Sequence, residues 1–157
     1  MKIPKLILLV AGGFFLLSCL SPTGQEVEYD NTDDIEFFEE FAQQEGVQAT
    51  VNGLLYKVIE EGNGDTPSIS SRVMIHYHGT LITEEVFDST YDRDEPLIDY
   101  VYNFIPGLSE GLSLMREGAT YKFVIPSDLA YGNTSPGSPL YPGATVIFET
   151  ELIEIVE

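Results

Sequence analysis

The sequence has no tryptophan, a single cysteine and few basic residues. Its 157 residues include 7 Lys and Arg against 26 Asp and Glu, for a formal net charge of −19. This scarcity of positive charge excludes nucleic acid as a partner, because phosphate binding needs a basic surface. The one thiol, Cys19, has no partner for an internal disulfide. No apolar run reaches the roughly 20 residues of a membrane-spanning helix, so a spanning helix is excluded as well.

The N-terminus has the features of a secretion signal. Lys2 and Lys5 precede an unbroken run of apolar residues and glycines at residues 6–17, which suits a signal peptide. The run ends in Leu16-Leu17-Ser18-Cys19, which resembles the lipobox of bacterial lipoproteins. The resemblance implies a signal peptide at residues 1–18, cleavage before Cys19 and acyl chains, such as palmitate, on that cysteine. The alternatives are an ordinary secretion signal with a chance cysteine and a short buried helix.

A lipid on Cys19 implies an extracytoplasmic protein of the cell envelope, bound to the membrane through that lipid. Each buried methylene contributes about 0.8 kcal/mol, so several acyl chains anchor a protein stably. The acidic body is repelled by anionic headgroups, which leaves the anchoring to the lipid. Leu20 stands where an aspartate is often linked to retention in the inner membrane. In a Gram-negative cell this favours the periplasmic side of the outer membrane.

Two segments separate the signal from the rest of the chain. Residues 19–32 are polar and acidic and are predicted to form a flexible tether. Residues 33–46 are predicted to form an N-terminal helix that Gly46 ends, with Asp33 and Glu36 as a capping box. Its apolar positions recur at spacings of three and four, at Ile35, Phe38, Phe41 and Ala42. We expect the helix to pack on its own domain and the protein to be a monomer, with dimerisation through this helix as the alternative.

Residues 47–157 are predicted to form one α+β domain. Patterns typical of strands lie at residues 54–59, 72–77, 121–125 and 145–156. One helix is predicted between them at residues 106–116, with Pro106 in its first turn and Gly118 after its end. Leu108, Leu112 and Met115 make its apolar stripe. Several strands with a single short helix favour the α+β class.

Three short motifs carry a resemblance to a known family. They are Ile75-His76-Tyr77-His78-Gly79, Phe87-Asp88-Ser89-Thr90 and Ala130-Tyr131-Gly132. In this order and spacing they resemble the FKBP-type peptidyl-prolyl cis-trans isomerases, and the resemblance runs from about Gly53 to the C-terminus. It implies an antiparallel β-sheet, or half-barrel, wrapped around one short helix. The N-terminal helix is an addition to that fold.

The resemblance also implies a substrate pocket. Tyr77, Phe87 and Phe148 match its aromatic walls, and Tyr131 matches a tyrosine whose hydroxyl binds a substrate carbonyl. The Ile105 backbone N–H matches a second donor. The remaining matches are the pocket carboxylate Asp88, the arginine that holds it, Arg93, and an apolar contact, Leu140.

The chain departs from the family at the pocket floor and at one rim. Leu108 stands where a tryptophan is usual, so the floor is expected to be deeper or to be filled by Phe104. Before it, Leu97 or Tyr100 takes the place of an aromatic that usually follows a proline. The register of this rim stays open at the level of sequence.

The function that follows is isomerisation of the amide bond before proline, without a cofactor. The expected substrates are proline-containing unfolded or exported polypeptides. A catalytically weak binding or chaperone module and a subunit of an envelope complex are the alternatives. Two further alternatives have less support. The first is a metal site at His76 and His78, which share a strand face but lack an identifiable third ligand. The second is a Ser-His-Asp hydrolase, which only the residue counts permit.

Overall fold

The computed structural model describes residues 29–156, so the predicted signal peptide, Cys19 and residues 20–28 of the predicted tether lie outside it. No helix in the described part of the chain is long and apolar enough to cross a bilayer. Its helices and strands are α1 (Thr32–Ala42), β1 (Val47–Ala49), β2 (Leu55–Glu60), β3 (Arg72–Leu81), β4 (Val86–Ser89), β5 (Leu97–Tyr100), α2 (Pro106–Leu112), β6 (Thr120–Ile125) and β7 (Val146–Ile155). Short 3-10 helices lie at Val101–Asn103 and Ser127–Leu129.

The strands form a seven-stranded antiparallel sheet in the order β1-β2-β6-β7-β3-β4, and β5 also pairs with β3. The last strand of the chain, β7, therefore lies between β6 and β3. The ladder between β3 and β7 runs from Val73↔Ile155 to Leu81↔Val146, with a register shift between Met74 and Ile75. The predicted antiparallel α+β fold is confirmed.

Side chains of β3 alternate between the two faces of the sheet. Val73, Ile75, Tyr77 and Leu81 are buried, while Met74, His76 and His78 between them are only partly buried. This follows from the period of two along a strand. The strand continues to Leu81, four residues beyond the predicted end, because β4 and β7 pair with its second half.

Helix α2 lies against the buried face of the sheet, and its glycines allow the close approach. A Cβ at Gly107 would lie 2.3 Å from Ile125 Cγ2, and one at Gly111 would lie 2.5 Å from Phe123 Cε1. Positions four apart share one face of a helix, so both glycines face β6. Leu108, Leu112 and Met115 are buried in the main core, as predicted. The helix ends at Leu112 rather than at residue 116, and Met115 is buried in the turn that follows.

Helix α1 packs on the opposite face of the sheet, in a second and smaller core. Phe41 of the helix packs with Leu55, Val124 and Ile147 from β2, β6 and β7. Phe37, Phe38 and Ala42 cover this cluster from the same side. Strand alternation explains the arrangement, because Phe123 and Ile125 face the main core while Val124 between them faces α1. The expectation that the helix packs on its own domain is therefore met for its apolar face.

The details of α1 correct the sequence-based prediction in three places. The helix ends at Ala42, and Gly46 closes the following turn at φ +81°. Ile35 is 61% exposed and belongs to the solvent face, whereas Phe37 takes its place in the core. The predicted capping box does not form, since Asn31 is the N-cap and makes no side-chain capping hydrogen bond.

Phe41→Ala tests whether α1 contributes to stability through this second core. Phe41 is 4% exposed, so we expect a loss of about 3–5 kcal/mol in the free energy of unfolding, measured by urea denaturation. Ile35→Ala on the same helix is the control and should change that free energy by less than about 0.5 kcal/mol. Equal effects of the two substitutions would contradict this packing.

Candidate active site

Three polar side chains join β3 and β4 on the buried side of the sheet. The Tyr77 hydroxyl donates a hydrogen bond to Asp88 Oδ2. Arg93 Nη1 lies 2.5 Å from Asp88 Oδ1, and Arg93 Nη2 donates to the Tyr77 hydroxyl oxygen at 3.3 Å. Both Asp88 oxygens are therefore bound, which fixes the orientation of the carboxylate.

This network stabilises the ionised form of Asp88. Burial alone would raise the pKa of its carboxyl group, but hydrogen bonds from Tyr77 and Arg93 outweigh it, and the net shift is downward. Burial, and then the hydrogen bond to Asp88, raises the pKa of Tyr77. Burial, and then the Asp88 charge, also raises the pKa of Tyr131. At neutral pH the site combines one carboxylate with two protonated phenols.

Aromatic rings pack next to this carboxylate in one continuous cluster. Tyr77 and Phe148 lie 5.6 Å apart between ring centroids. Phe87 meets Phe148 edge-on at 5.4 Å and Tyr131 edge-on at 6.4 Å. Edge-to-face contacts of this kind stabilise aromatic clusters beyond the area they bury. The four predicted aromatic residues are thus brought together from β3, β4, β7 and the loop after β6.

The missing side chain of Gly79 leaves space for two rings of this cluster, Phe87 and Phe148. It pairs with Asp88 on one side and with Phe148 on the other. A Cβ at Gly79 would lie 2.8 Å from Phe87 Cζ and 3.1 Å from Phe148 Cε1. Gly79 was not among the predicted site residues. Its inward position in an alternating strand was the signal that could have identified it.

Thr90 is a second residue whose contribution was missed. It is fully buried, and its hydroxyl both donates to the Tyr77 carbonyl and accepts the Tyr77 N–H. These two bonds hold the corner after β4 against β3, next to Asp88. The motif Phe87-Asp88-Ser89-Thr90 thus supplies a wall, a carboxylate and the bonds that position them.

An open cleft of about 280 Å³ lies over part of the cluster. Four predicted residues line it, namely Phe87, Asp88, Tyr131 and Leu140. Residues 136–139 of the long loop after Tyr131 complete the lining. Tyr77 and Phe148 do not line the cleft, but each contacts a residue that does, Asp88 and Phe87 respectively.

The rim formed by β5 is separate from this cleft. Arg93 and Leu97 line a neighbouring cleft of about 370 Å³ together with Glu95, Pro96 and Ile98. Leu97 packs against the main core, whereas Tyr100 stacks on Tyr102 at 5.2 Å. Of the two residues considered for this rim, Leu97 therefore packs towards the core and Tyr100 does not.

The predicted floor residues belong to the core at the start of α2. Leu108 is 2% exposed, and Phe104 and Ile105 pack against the same core. None of the three lines either cleft. The Ile105 N–H makes no hydrogen bond within the described part of the chain, so it is available as a donor.

Within residues 29–156 neither alternative chemistry has the geometry it requires. Among residues 29–156 no group of three or more potential ligands is placed to hold a metal ion. His76 Nδ1 lies 2.9 Å from Thr90 Oγ1, and its ring stacks on Tyr91. Residues 107–111 match the Gly-x-Ser-x-Gly pattern of hydrolases, but Ser109 is buried and its hydroxyl donates to the Val101 carbonyl at 2.6 Å. Ser109 therefore connects α2 to the preceding 3-10 helix.

Known proteins of one family are similar to this chain in sequence and in fold. The sequence profile of the FKBP-type peptidyl-prolyl cis-trans isomerases matches residues 64–153, more than half of the chain. The chain belongs to the FKBP family. This FKBP is 42% identical over 121 residues to the FKBP-type peptidyl-prolyl cis-trans isomerase FkpA of Escherichia coli K12, and 43% identical over 122 residues to the FKBP-type 22 kDa peptidyl-prolyl cis-trans isomerase of the same strain. It is 43% identical over 110 residues to the outer membrane protein MIP of Legionella longbeachae.

The match covers most of this FKBP but only about half of those relatives. The match to FkpA spans 76% of this chain and 44% of FkpA. For the 22 kDa isomerase the two shares are 78% and 59%, and for MIP they are 70% and 47%. The crystal structure of FkpA from E. coli aligns with a TM-score of 0.75 at 40% identity, over 80% of this chain and 58% of that one. A peptidyl-prolyl cis-trans isomerase from Pseudomonas syringae aligns with a TM-score of 0.77 at 27% identity, over 83% and 99% of the two chains.

The lowered pKa of Asp88 predicts how this FKBP responds to acid. Its folded-state pKa lies below the ordinary value of about 3.9, so the carboxylate stabilises the fold above that pH. The stabilisation is lost as the pH falls through the folded-state pKa. The difference in unfolding free energy between wild type and Asp88→Asn should therefore shrink from about pH 7 to about pH 3.5, as measured by urea denaturation.

Arg93→Gln provides the control for this pH dependence. Without the guanidinium, the Asp88 carboxylate loses its cationic partner. The difference in unfolding free energy between Arg93→Gln and the double variant with Asp88→Asn should therefore change less with pH. A difference that is constant, or that widens towards acid, would contradict the lowered pKa.

Proposed function

We propose that this protein catalyses cis-trans isomerisation of the peptide bond before proline. Rotation of an amide is opposed by about 18–20 kcal/mol because twisting removes its resonance. A catalyst breaks no bond and needs only to bind the twisted amide more tightly than the planar one. An apolar site disfavours the charge-separated planar form and therefore favours the twisted one. Family membership and the aromatic cluster beside Asp88 together support this reaction.

The observation that carries the proposal is the cluster of Phe87, Tyr131 and Phe148, in which Phe87 and Phe148 pack against the space left by Gly79. In the proposed complex, the proline ring enters the cleft and contacts Phe87 and Leu140, which line it. The volume of about 280 Å³ is near the lower end of small-molecule sites, at roughly 300 Å³, and fits one short peptide segment. Tyr77 and Phe148 support the lining through their contacts with Asp88 and Phe87.

Two donors are proposed to hold the substrate carbonyls. The Tyr131 hydroxyl makes no hydrogen bond to any residue in the described part of the chain, and its raised pKa keeps its proton in place. The Ile105 N–H is the second donor, as the family resemblance implies. Asp88 presents a fixed negative charge at the edge of the cleft, held by Arg93. In this arrangement Leu97, Phe104 and Leu108 support the rim and the core beneath the substrate.

Phe87→Ala tests the proposed wall. Its ring lines the cleft and contacts both Phe148 and Tyr131, so its loss should lower kcat/KM for a short X-Pro peptide about tenfold or more. The full chain in mild detergent is assayed by the cis-to-trans rate of the peptide. Val86→Ala, which changes a 40% exposed neighbour on the same strand, is the control and should leave the rate unchanged.

The wild-type rate in this assay separates the main proposal from its alternative. No acceleration by the folded protein would overturn the enzyme assignment. Peptide binding without acceleration would then favour a binding or chaperone module of the same fold.

We further propose that the protein acts in the cell envelope on exported polypeptides, anchored by a lipid on Cys19. The supporting observations are the signal and lipobox patterns of residues 1–19 and a relative named as an outer membrane protein. The acidic tether of the sequence then separates the lipid from the catalytic domain, on which α1 packs.

Labelling with an alkyne fatty acid tests the lipid. The full chain expressed in a bacterium should incorporate the label and partition with membranes, because the lipobox directs acylation of Cys19. Cys19→Ser removes the only thiol of the chain and should abolish both results. Incorporation that persists in Cys19→Ser would place the modification elsewhere, and no incorporation by wild type would contradict the proposal.

A further inference from the structure

The first turn of α1 is hydrogen-bonded to the loop that overhangs the cleft. Asp34 is 3% exposed, and both of its carboxylate oxygens accept hydrogen bonds from residues more than 100 positions later. Oδ2 accepts from the Tyr141 hydroxyl and Oδ1 accepts from the Thr145 backbone N–H, each at 2.7 Å. We call these three residues the latch.

Neighbouring contacts strengthen the latch. The Tyr29 ring stacks on the Tyr141 ring at 6.3 Å with an interplanar angle of 7°. Gly143 has φ +80°, and a Cβ there would lie 2.1 Å from Asn31 Nδ2. The segment before α1 is therefore in direct contact with the end of the loop, with no room for a side chain at residue 143.

The loop held by the latch is the one that lines the cleft. Residues 136–140 contribute to the lining, and Leu140 directly precedes Tyr141 of the latch. The Gly143 N–H donates to the Gly132 carbonyl at 2.8 Å and closes the base of the loop just after Tyr131. The bond at Tyr141 therefore lies next to the lining residues, and the bond at Thr145 lies where the loop joins β7.

Burying the Asp34 carboxylate costs free energy, and attaching α1 to the sheet does not require it. A buried carboxylate loses hydration, and no Lys or Arg within residues 29–156 forms an ion pair with Asp34. Phe41 and its apolar neighbours already attach α1 to the sheet. Both hydrogen bonds of Asp34 go to the overhanging loop rather than to the helix or the sheet face beneath it. Burial, and then the hydrogen bond to Asp34, raises the pKa of Tyr141, which keeps its hydroxyl protonated as a donor.

We infer that Asp34 is a positioning residue of the isomerase, which acts through Tyr141 and Thr145 to hold residues 132–143 in the shape that receives the substrate. The inference rests on the proposed function. Substrate meets the loop on binding, while the aromatic wall lies on β3, β4 and β7 and is untouched by the latch. Loss of the latch should therefore weaken substrate binding more than it slows the bound step.

The test compares kcat and KM for an X-Pro peptide in the full chain and in Asp34→Ala. We expect KM to rise about three- to tenfold while kcat stays within about twofold of wild type. Hydrogen exchange of the Leu140, Gly143 and Thr145 amides should accelerate in the same variant. Asp33→Ala, an exposed neighbour with the same loss of charge and size, should change neither measurement.

Two further variants keep the inference falsifiable if Asp34→Ala folds poorly. Asp34→Asn retains an acceptor for Thr145 and a polar partner for Tyr141, so it should restore most of the lost affinity. Tyr141→Phe removes one hydroxyl and should raise KM by a smaller factor than Asp34→Ala. An effect of Asp34→Ala that Asp34→Asn does not rescue would overturn the assignment.

The outcomes separate failure of this inference from failure of the proposed function. An active wild type with unchanged KM in Asp34→Ala and Tyr141→Phe would overturn the positioning assignment while leaving the isomerase intact. A wild type without isomerase activity would overturn the proposed function itself, and the positioning assignment with it.

Discussion

The ladder between β3 and β7 is the interaction on which the fold and the candidate site depend. It pairs the middle of the chain with its last strand, from Val73↔Ile155 to Leu81↔Val146. This pairing places Phe148 beside Gly79 and brings its ring next to that of Tyr77. Phe87, carried by β4 on the other edge of β3, then fills the space above the glycine. A slip of one residue would turn every inward side chain of one strand outward and remove the aromatic cluster.

Features that depend on local pattern were predictable from the sequence. The period of two in β3 puts Tyr77 on the opposite face from His76 and His78, and the family resemblance identified the Tyr77 face as the pocket side. Pro106 and the stripe of Leu108 and Leu112 mark α2 in the same way. The family motifs added the grouping of Asp88 with Tyr77 and Arg93, which no local pattern contains.

Features that depend on distant partners were not predictable. Asp34 looks like one more surface acid in an acidic helix, and only its contact with Tyr141 explains its burial. Ile35 was assigned to the apolar face because spacing alone cannot fix the phase of a short helix, and Phe37 lies there instead. Gly79 contributes by having no side chain, and the rings of Phe87 and Phe148 that fill the space come from other strands. In each case the cause lies in residues brought together only by the completed sheet.

The docking of α1 also sets the order in which the molecule can be completed. The helix is made early, but Val124 and Ile147, which cover its apolar face, are made roughly a hundred residues later. At a synthesis rate of about 5–20 residues per second, the Phe37 and Phe41 rings stay without their final partners for roughly 5–20 s. A newly made chain therefore carries an uncovered aromatic face until β7 has been made. The helix that holds the loop at the cleft is thus made before the two strands that bury it.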